Sequence, residues 1–294
     1  MDQPTRDRSW HADEQDVDVA DATVHVVQNG APEAPVLLLV HGLGASTAWW
    51  NPVVPCLADT YRVIRVDLPG HGRSTGPSGD GDRAAALAEY GIPAHAERVG
   101  AVLELLGVHR VAVAIGHSSG GAVVSELARQ RPETISALAL ISTGPSLDAD
   151  TSGSPLGQLL FARVPGALLW RAFNEAIVRK SLASAFARPA APLPDALVDG
   201  TRGMSHHALA ATARGSAAYI RQRTLPDRLA DLGKPLLVIF GAEDARWRAA
   251  SAEDYRVVPG ARVVVLPEIG HTPMYEDPQT TCDLLLGFAA ASIR

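Results

Sequence analysis

Short apolar runs, separated by helical stretches, constrain this chain's fold more than any other feature. Residues 36–40 read VLLLV, apolar at every position. Successive side chains of a strand point to opposite faces, so such a run belongs in a sheet covered on both sides. Further strand candidates are 62–66 (RVIRV), 111–115 (VAVAI), 135–141 (ISALALI), 235–240 (PLLVIF) and 262–266 (RVVVL), while 22–28 (ATVHVVQ) alternates as an edge strand does. Helical candidates at 47–58, 93–106, 119–130, 249–257 and 278–290 lie between them. Strands alternating with helices predict parallel pairing in a doubly wound α/β sheet.

One region breaks the alternation. Residues 146–232 carry no strand pattern, are rich in Ala and Leu, and are punctuated by Pro189, Pro192 and Pro194. They read as a helical cap inserted into a core formed by residues 16–145 and 233–294, with residues 1–15, polar and carrying more acidic than basic side chains, as a flexible tail. A chain of 294 residues with 47% hydrophobic content can bury a core of this size. A formal net charge of −6, with no basic cluster, argues against nucleic acid as a partner. No run approaches the roughly 18 apolar residues of a membrane span, and the first residues lack the apolar core of a signal peptide, so no membrane partner and a cytoplasmic location are expected. The two cysteines, Cys56 and Cys282, lie far apart in sequence without metal-type spacing, and are expected as separate reduced thiols.

The chemistry concentrates at residues 116–121, GHSSGG, which follow the strand candidate 111–115 and open the helix candidate 119–130. A strand that turns sharply into a helix exposes one side chain at the apex, and the residues two before and two after it must be small. Ser118 has Gly116 and Gly120 at those places; Ser119 would have His117 and Gly121. Ser118 is therefore the candidate nucleophile, and the Ser119 N–H a candidate oxyanion donor at a helix start.

A serine needs a base and a group that orients it. Both can be supplied downstream, each after a strand candidate: Gly241-Ala-Glu-Asp244 places a carboxylate, with Glu243 as the rival acid, and Gly270-His271-Thr-Pro273 places a histidine. After VLLLV comes His41-Gly42-Leu43-Gly44, where flanking glycines free Leu43 to offer the second oxyanion N–H.

With His41-Gly-Leu-Gly44, Asp67-Leu-Pro-Gly-His-Gly-Arg-Ser74, Gly116-His-Ser-Ser-Gly120, Gly241-Ala-Glu-Asp244 and Gly270-His-Thr-Pro273 in order, the chain resembles the α/β-hydrolase fold superfamily from about residue 22 to 290. The resemblance implies a mostly parallel central β-sheet with helices on both faces, a helical cap inserted after the sixth strand, and a Ser118–His271–Asp244 triad; the Gly-x-x-Asp spacing favours Asp244 over Glu243. Ser at the elbow apex argues against epoxide hydrolases and haloalkane dehalogenases, which carry Asp there. Thr272 after the histidine argues against the carbon–carbon hydrolases of aromatic degradation, and His41–Gly44 has a shorter glycine run than HGGG-type esterases. The expectation is a serine esterase, lactonase or thioesterase without metal or organic cofactor, its alternatives being non-hydrolytic or carbon–carbon chemistry on the same triad and a ligand receptor that retains it.

Trp49, His117, Phe161, Trp170, Phe173 and Met204 are candidates to line the pocket, and would make it apolar and suited to a small or medium apolar ester. Structural roles are expected for His41, His71 and Asp67, and no metal is expected at His206-His207, since neighbours on a helix point about 100° apart.

Overall fold

VLLLV becomes β3 (Val36–Val40), every residue of it buried, near the centre of an eight-stranded sheet. The computed structural model describes residues 12–77, 88–153, 160–188 and 193–293. The strands are β1 (Asp13–Val19), β2 (Ala22–Asn29), β3, β4 (Arg62–Val66), β5 (Val111–His117), β6 (Leu138–Ile141), β7 (Leu236–Gly241) and β8 (Arg262–Leu266), in the order β1-β2-β4-β3-β5-β6-β7-β8. From β4 to β8 every neighbouring pair is parallel; β1–β2 and β2–β4 are antiparallel.

The unbroken apolar runs follow from cover on both faces. Val36, Leu38 and Val40 point into one core with Ala114, Val238 and Phe240, beneath α2 (Ile92–Leu105) and α3 (Ser119–Gln130). Leu37 and Leu39 point into the other with Ile115 and Ile239, beneath α1 (Val54–Ala58), α9 (Pro273–Glu276) and α10 (Pro278–Ser292).

Between β6 and β7 the chain leaves the sheet and forms α4 (Arg163–Arg171), α5 (Glu175–Ala183), α6 (Asp195–Arg202), α7 (His206–Gln222) and α8 (Leu225–Leu232). The described residues of the excursion are largely helical, and its last part is not separate from the main body. Tyr219, Ile220, Leu225 and Leu229 pack into the first core, and the Tyr219 hydroxyl donates to Glu126 on α3 at 2.9 Å.

Several expectations need correction. The acidic stretch expected to be tail up to residue 15 already belongs to β1 from Asp13: Val17 and Val19 are buried while Asp16 and Asp18 face out, an edge strand whose polar face hid its pattern. Residues 1–11 of that stretch lie outside the described residues. The helix expected over 47–58 divides into a 3-10 turn (Thr47–Trp50) and α1, and 249–257 is 3-10 throughout. The cysteines expected to stand apart are paired as a disulfide, with Cα atoms 6.6 Å apart. Cys56 on α1 and Cys282 on α10 are 226 residues apart in sequence, yet both helices cover the same face of the sheet. With the thiols paired, they no longer argue for a reducing compartment. Among the described residues no helix is long and apolar enough to cross a membrane.

Candidate active site

The turn from β5 into α3 needs its glycines. A Cβ on Gly116 would lie 2.5 Å from the Cα of Gly121, and one on Gly120 would meet the backbone of Val40 at 2.9 Å and the carbonyl oxygens of Val40 and His41 closer still. Between them Ser118 takes φ +53°, ψ −123°, a conformation L residues rarely adopt and one that costs of order 1–3 kcal/mol. The turn leaves Ser118 half-buried at the head of α3, while the strand before it is fully buried. Gly120→Ala is therefore expected to destabilise the protein by about 3 kcal/mol or more. Gly287→Ala on α10, where an added Cβ meets nothing within 4 Å, should be neutral or slightly stabilising. Paired thermal melts check both.

At the ends of β7 and β8 the chain brings Asp244 to His271. The Asp244 side chain is fully buried and lies 2.9 Å (Oδ2) and 3.1 Å (Oδ1) from His271 Nδ1. Its Oδ1 also accepts the backbone N–H groups of Arg246 (2.8 Å) and Trp247 (3.2 Å), which fix the carboxylate. Glu243, the rival acid, is exposed. A carboxylate can only accept from Nδ1, so Nδ1 carries the proton and Nε2 is the free acceptor of the ring. Gly241 lets the two loops meet: a Cβ there would lie 2.6 Å from the carbonyl carbon of Ile269.

His117, the last residue of β5, shares the face of α9 and α10 and is buried beneath His271. Its Nε2 donates to the His271 carbonyl at 2.9 Å, and the two rings are 4.9 Å apart. Burial, with His271 beside it, holds His117 well below the usual imidazole range, so the ring is neutral. On its other side stands Trp49, stacked at 6.3 Å, and beyond it Phe186 and Tyr275.

The 41–46 loop lies against the elbow: a Cβ on Gly42 would be 2.9 Å from the Cβ of Ser118. The Gly42 carbonyl accepts from His41 Nδ1 (2.8 Å) and from the Ala45 N–H (3.2 Å). In a trans peptide C=O and N–H point opposite ways, so these bonds turn the Leu43 N–H away from both donors. His41 Nε2 accepts from the Leu68 N–H at 3.0 Å, a bond that needs the neutral ring with its proton on Nδ1. Asp67 receives the N–H groups of Thr47 (2.6 Å) and Arg73 (2.8 Å), the structural role expected of it.

These buried rings give the stability a pH dependence of definite sign. Burial pushes His41 down to about 4, and burial with His41 nearby pushes His71 down to about 3. Above pH 6.5 both are neutral whether folded or unfolded. Below it the unfolded chain takes up protons that the native rings refuse, so stability falls as pH drops, until about pH 4 for His41 and about 3 for His71. At the foot of its window the loss is on the order of 3 kcal/mol for His41 and 5 kcal/mol for His71. Thermal melts between pH 7 and 4 should show a steadily falling midpoint; a flat profile would contradict the neutral-ring account.

Of the six pocket candidates, Met204 is buried with Tyr90 and Leu209, and Leu43, Phe161 and Trp170 pack against that cluster. Trp170 Nε1 donates to the Met204 carbonyl at 3.0 Å, and Phe173 stacks on Trp170 at 5.2 Å, one ring further out. Trp49 belongs to a second cluster, with Leu193 and Leu197 of the excursion. The structure thus gathers Phe161, Trp170, Met204 and Leu43 in one cluster, and sets His117 against His271 with Trp49 stacked on His117. Sequence reasoning missed Phe186, Tyr275 and Glu276; the last stands five places after His271 in a stretch whose only visible signal was Pro273. Among the described residues no group of His, Cys, Asp and Glu is placed to hold a metal ion.

Known proteins share this arrangement of chain. The protein is 30% identical over 268 residues to the pimeloyl-(acyl-carrier protein) methyl ester esterase of Aeromonas hydrophila subsp. hydrophila, covering 87% of this chain and 96% of that one. Among solved structures it is similar to a hydrolase from Pseudomonas aeruginosa PA01 (28% identity, TM-score 0.75, 94% and 97% of the two chains). It is also similar to a membrane phospholipase A described as a bacterial virulence factor (28% identity, TM-score 0.71, 96% and 87%). Residues 35–278 match the family model of the alpha/beta hydrolase fold, and the chain belongs to that family.

Proposed function

We propose that this protein is a serine hydrolase that cleaves a carboxylic ester through an acyl-enzyme on Ser118. The observation that carries the reading is the positive-φ serine at the β5–α3 turn, together with a histidine whose Nδ1 is engaged by a buried carboxylate. Fold alone does not choose a reaction; the methyl ester esterase named for the Aeromonas relative supports esters as the substrate class.

In the proposed mechanism His271 Nε2 takes the proton of Ser118 Oγ as the oxygen attacks the ester carbonyl. Asp244 holds the tautomer and stabilises the imidazolium. The Leu43 and Ser119 N–H groups receive the oxyanion, each such bond being worth about 2.7–4 kcal/mol in the transition state. Collapse of the tetrahedral intermediate breaks the bond to the alkoxy oxygen, and His271 returns the proton to the departing alcohol. Water, deprotonated by His271, then attacks the acyl-enzyme, and the acid leaves with Ser118 Oγ protonated again. The residues clustered around Leu43 (Phe161, Trp170, Met204) and the side chain of Trp49 give the helical excursion the role of a cap over an apolar acyl site, which fits lactones and thioesters of similar shape as well. The same chain needs no metal or organic cofactor for these steps.

Intact-mass measurement after incubation with a fluorophosphonate tests the reading. One adduct of the expected mass supports an activated serine; no adduct on folded protein overturns it. A panel of p-nitrophenyl esters that vary in acyl length and acyl charge then ranks the acyl site, with short and medium apolar chains expected to be preferred over charged acyl groups.

A further inference from the structure

Glu276, the last residue of α9, carries more donors than any other carboxylate near the candidate base. Its Oε2 accepts the N–H of Gly270 at 3.0 Å, and its Oε1 accepts both the N–H (3.1 Å) and the hydroxyl (2.9 Å) of Thr272. Those residues stand immediately before and after His271. The fourth donor comes from elsewhere: the N–H of Ala187, in the excursion beyond α5, donates to Oε2 at 2.7 Å. The same segment holds His271 directly, since the Ala185 carbonyl accepts the His271 N–H at 2.7 Å.

The two stretches are pressed together. A Cβ on Gly270 would lie 2.6 Å from the Ala187 nitrogen and 2.8 Å from the Ala185 oxygen. A parallel tie reaches the loop of the acid: Arg246 Nη2 donates to the Ser181 carbonyl and the Ser184 hydroxyl, both at 3.0 Å, while the Arg246 N–H holds Asp244 Oδ1. The excursion is therefore fastened, within residues 181–187, to the loops that carry both Asp244 and His271.

We propose that Glu276 is a positioning residue that locks the His271 loop to residues 185–187, so that the base is held in its working orientation only while this part of the cap is docked. The inference rests on His271 acting as the base. Its chemical logic is that one carboxylate offers acceptors to all four donors at once, whereas an amide of the same size would turn an NH₂ group toward some of the N–H groups and push them apart. A base displaced by a fraction of an ångström to an ångström loses up to about 10²-fold in rate, while substrate affinity, set by the apolar cluster, is untouched.

The experiment compares wild type, Ser118→Ala and Glu276→Gln, reading kcat and KM for a p-nitrophenyl ester and the second-order rate of fluorophosphonate labelling. Glu276→Gln is expected to lower kcat and the labelling rate about ten- to a hundred-fold, with KM within about three-fold of wild type. Equal kcat and labelling rates in a folded Glu276→Gln protein, with wild type labelled on Ser118, overturn this inference and leave the triad standing. An unlabelled wild type overturns the triad reading itself. If Glu276→Gln does not fold, Thr272→Val removes one of the four donors at constant shape; kcat should then fall several-fold at unchanged KM, and an unchanged kcat overturns the proposal.

Discussion

Ser118→Ala is expected to lower kcat by about 10⁶, the cost of removing the nucleophile from a well-studied triad. The loss should appear without loss of fold. Ser118 is only half-buried, its hydroxyl bonds to no side chain among the described residues, and alanine at φ +53° carries the same Cβ penalty as serine. The residual rate should come from substrate binding and the two N–H groups of Leu43 and Ser119. Measuring kcat for a p-nitrophenyl ester beside the thermal midpoint separates chemistry from folding. Activity within ten-fold of wild type would mean that the elbow serine is not the reacting atom.

Asp244→Asn is expected to lower kcat by about 10⁴, the effect seen when a triad acid becomes an amide. The physical reason lies in the hydrogen bonds around the carboxylate. Oδ1 accepts two backbone N–H groups, so an asparagine places its oxygen there and turns its NH₂ toward His271 Nδ1. Nδ1 must then be the acceptor, the proton moves to Nε2, and the nitrogen that should take the Ser118 proton can no longer do so. Glu243→Gln supplies the contrast: Glu243 is exposed, its backbone N–H bonds to the Ile269 carbonyl, and the substitution should leave kcat within about two-fold. A larger loss at Glu243 than at Asp244 would reverse the assignment of the acid. Parallel kcat measurements on the two variants decide between them.

Much of this architecture was legible in local sequence because local chemistry imposes it. A run such as VLLLV has one stable environment, and the positions of β3, β4, β7 and β8 follow from their apolar runs to within a residue. GHSSGG is legible for the same kind of reason: the backbone of 116–121 approaches itself and the end of β3 so closely that only glycine fits at 116 and 120. The spacing therefore singles out Ser118 without any knowledge of the rest of the fold. β1 escaped notice because an edge strand buries one face only, and its outward aspartates masked Val17 and Val19.

What the sequence by itself determined, then, was seven of the eight strands, the elbow and the order in which serine, acid and histidine follow their strands, since each depends on residues within a few positions of one another. Only the tertiary structure decided which carboxylate meets His271 Nδ1, that Cys56 pairs with Cys282 across 226 residues, and that Tyr219, Ile220, Leu225 and Leu229 belong to the main core although they lie in the last two helices of the excursion. It alone joined Glu276 to Ala187, 89 residues apart, through a single carboxylate. Such contacts depend on where separate elements come to rest against the sheet, and a hydrogen bond between distant loops leaves no periodicity in the chain from which it could be read.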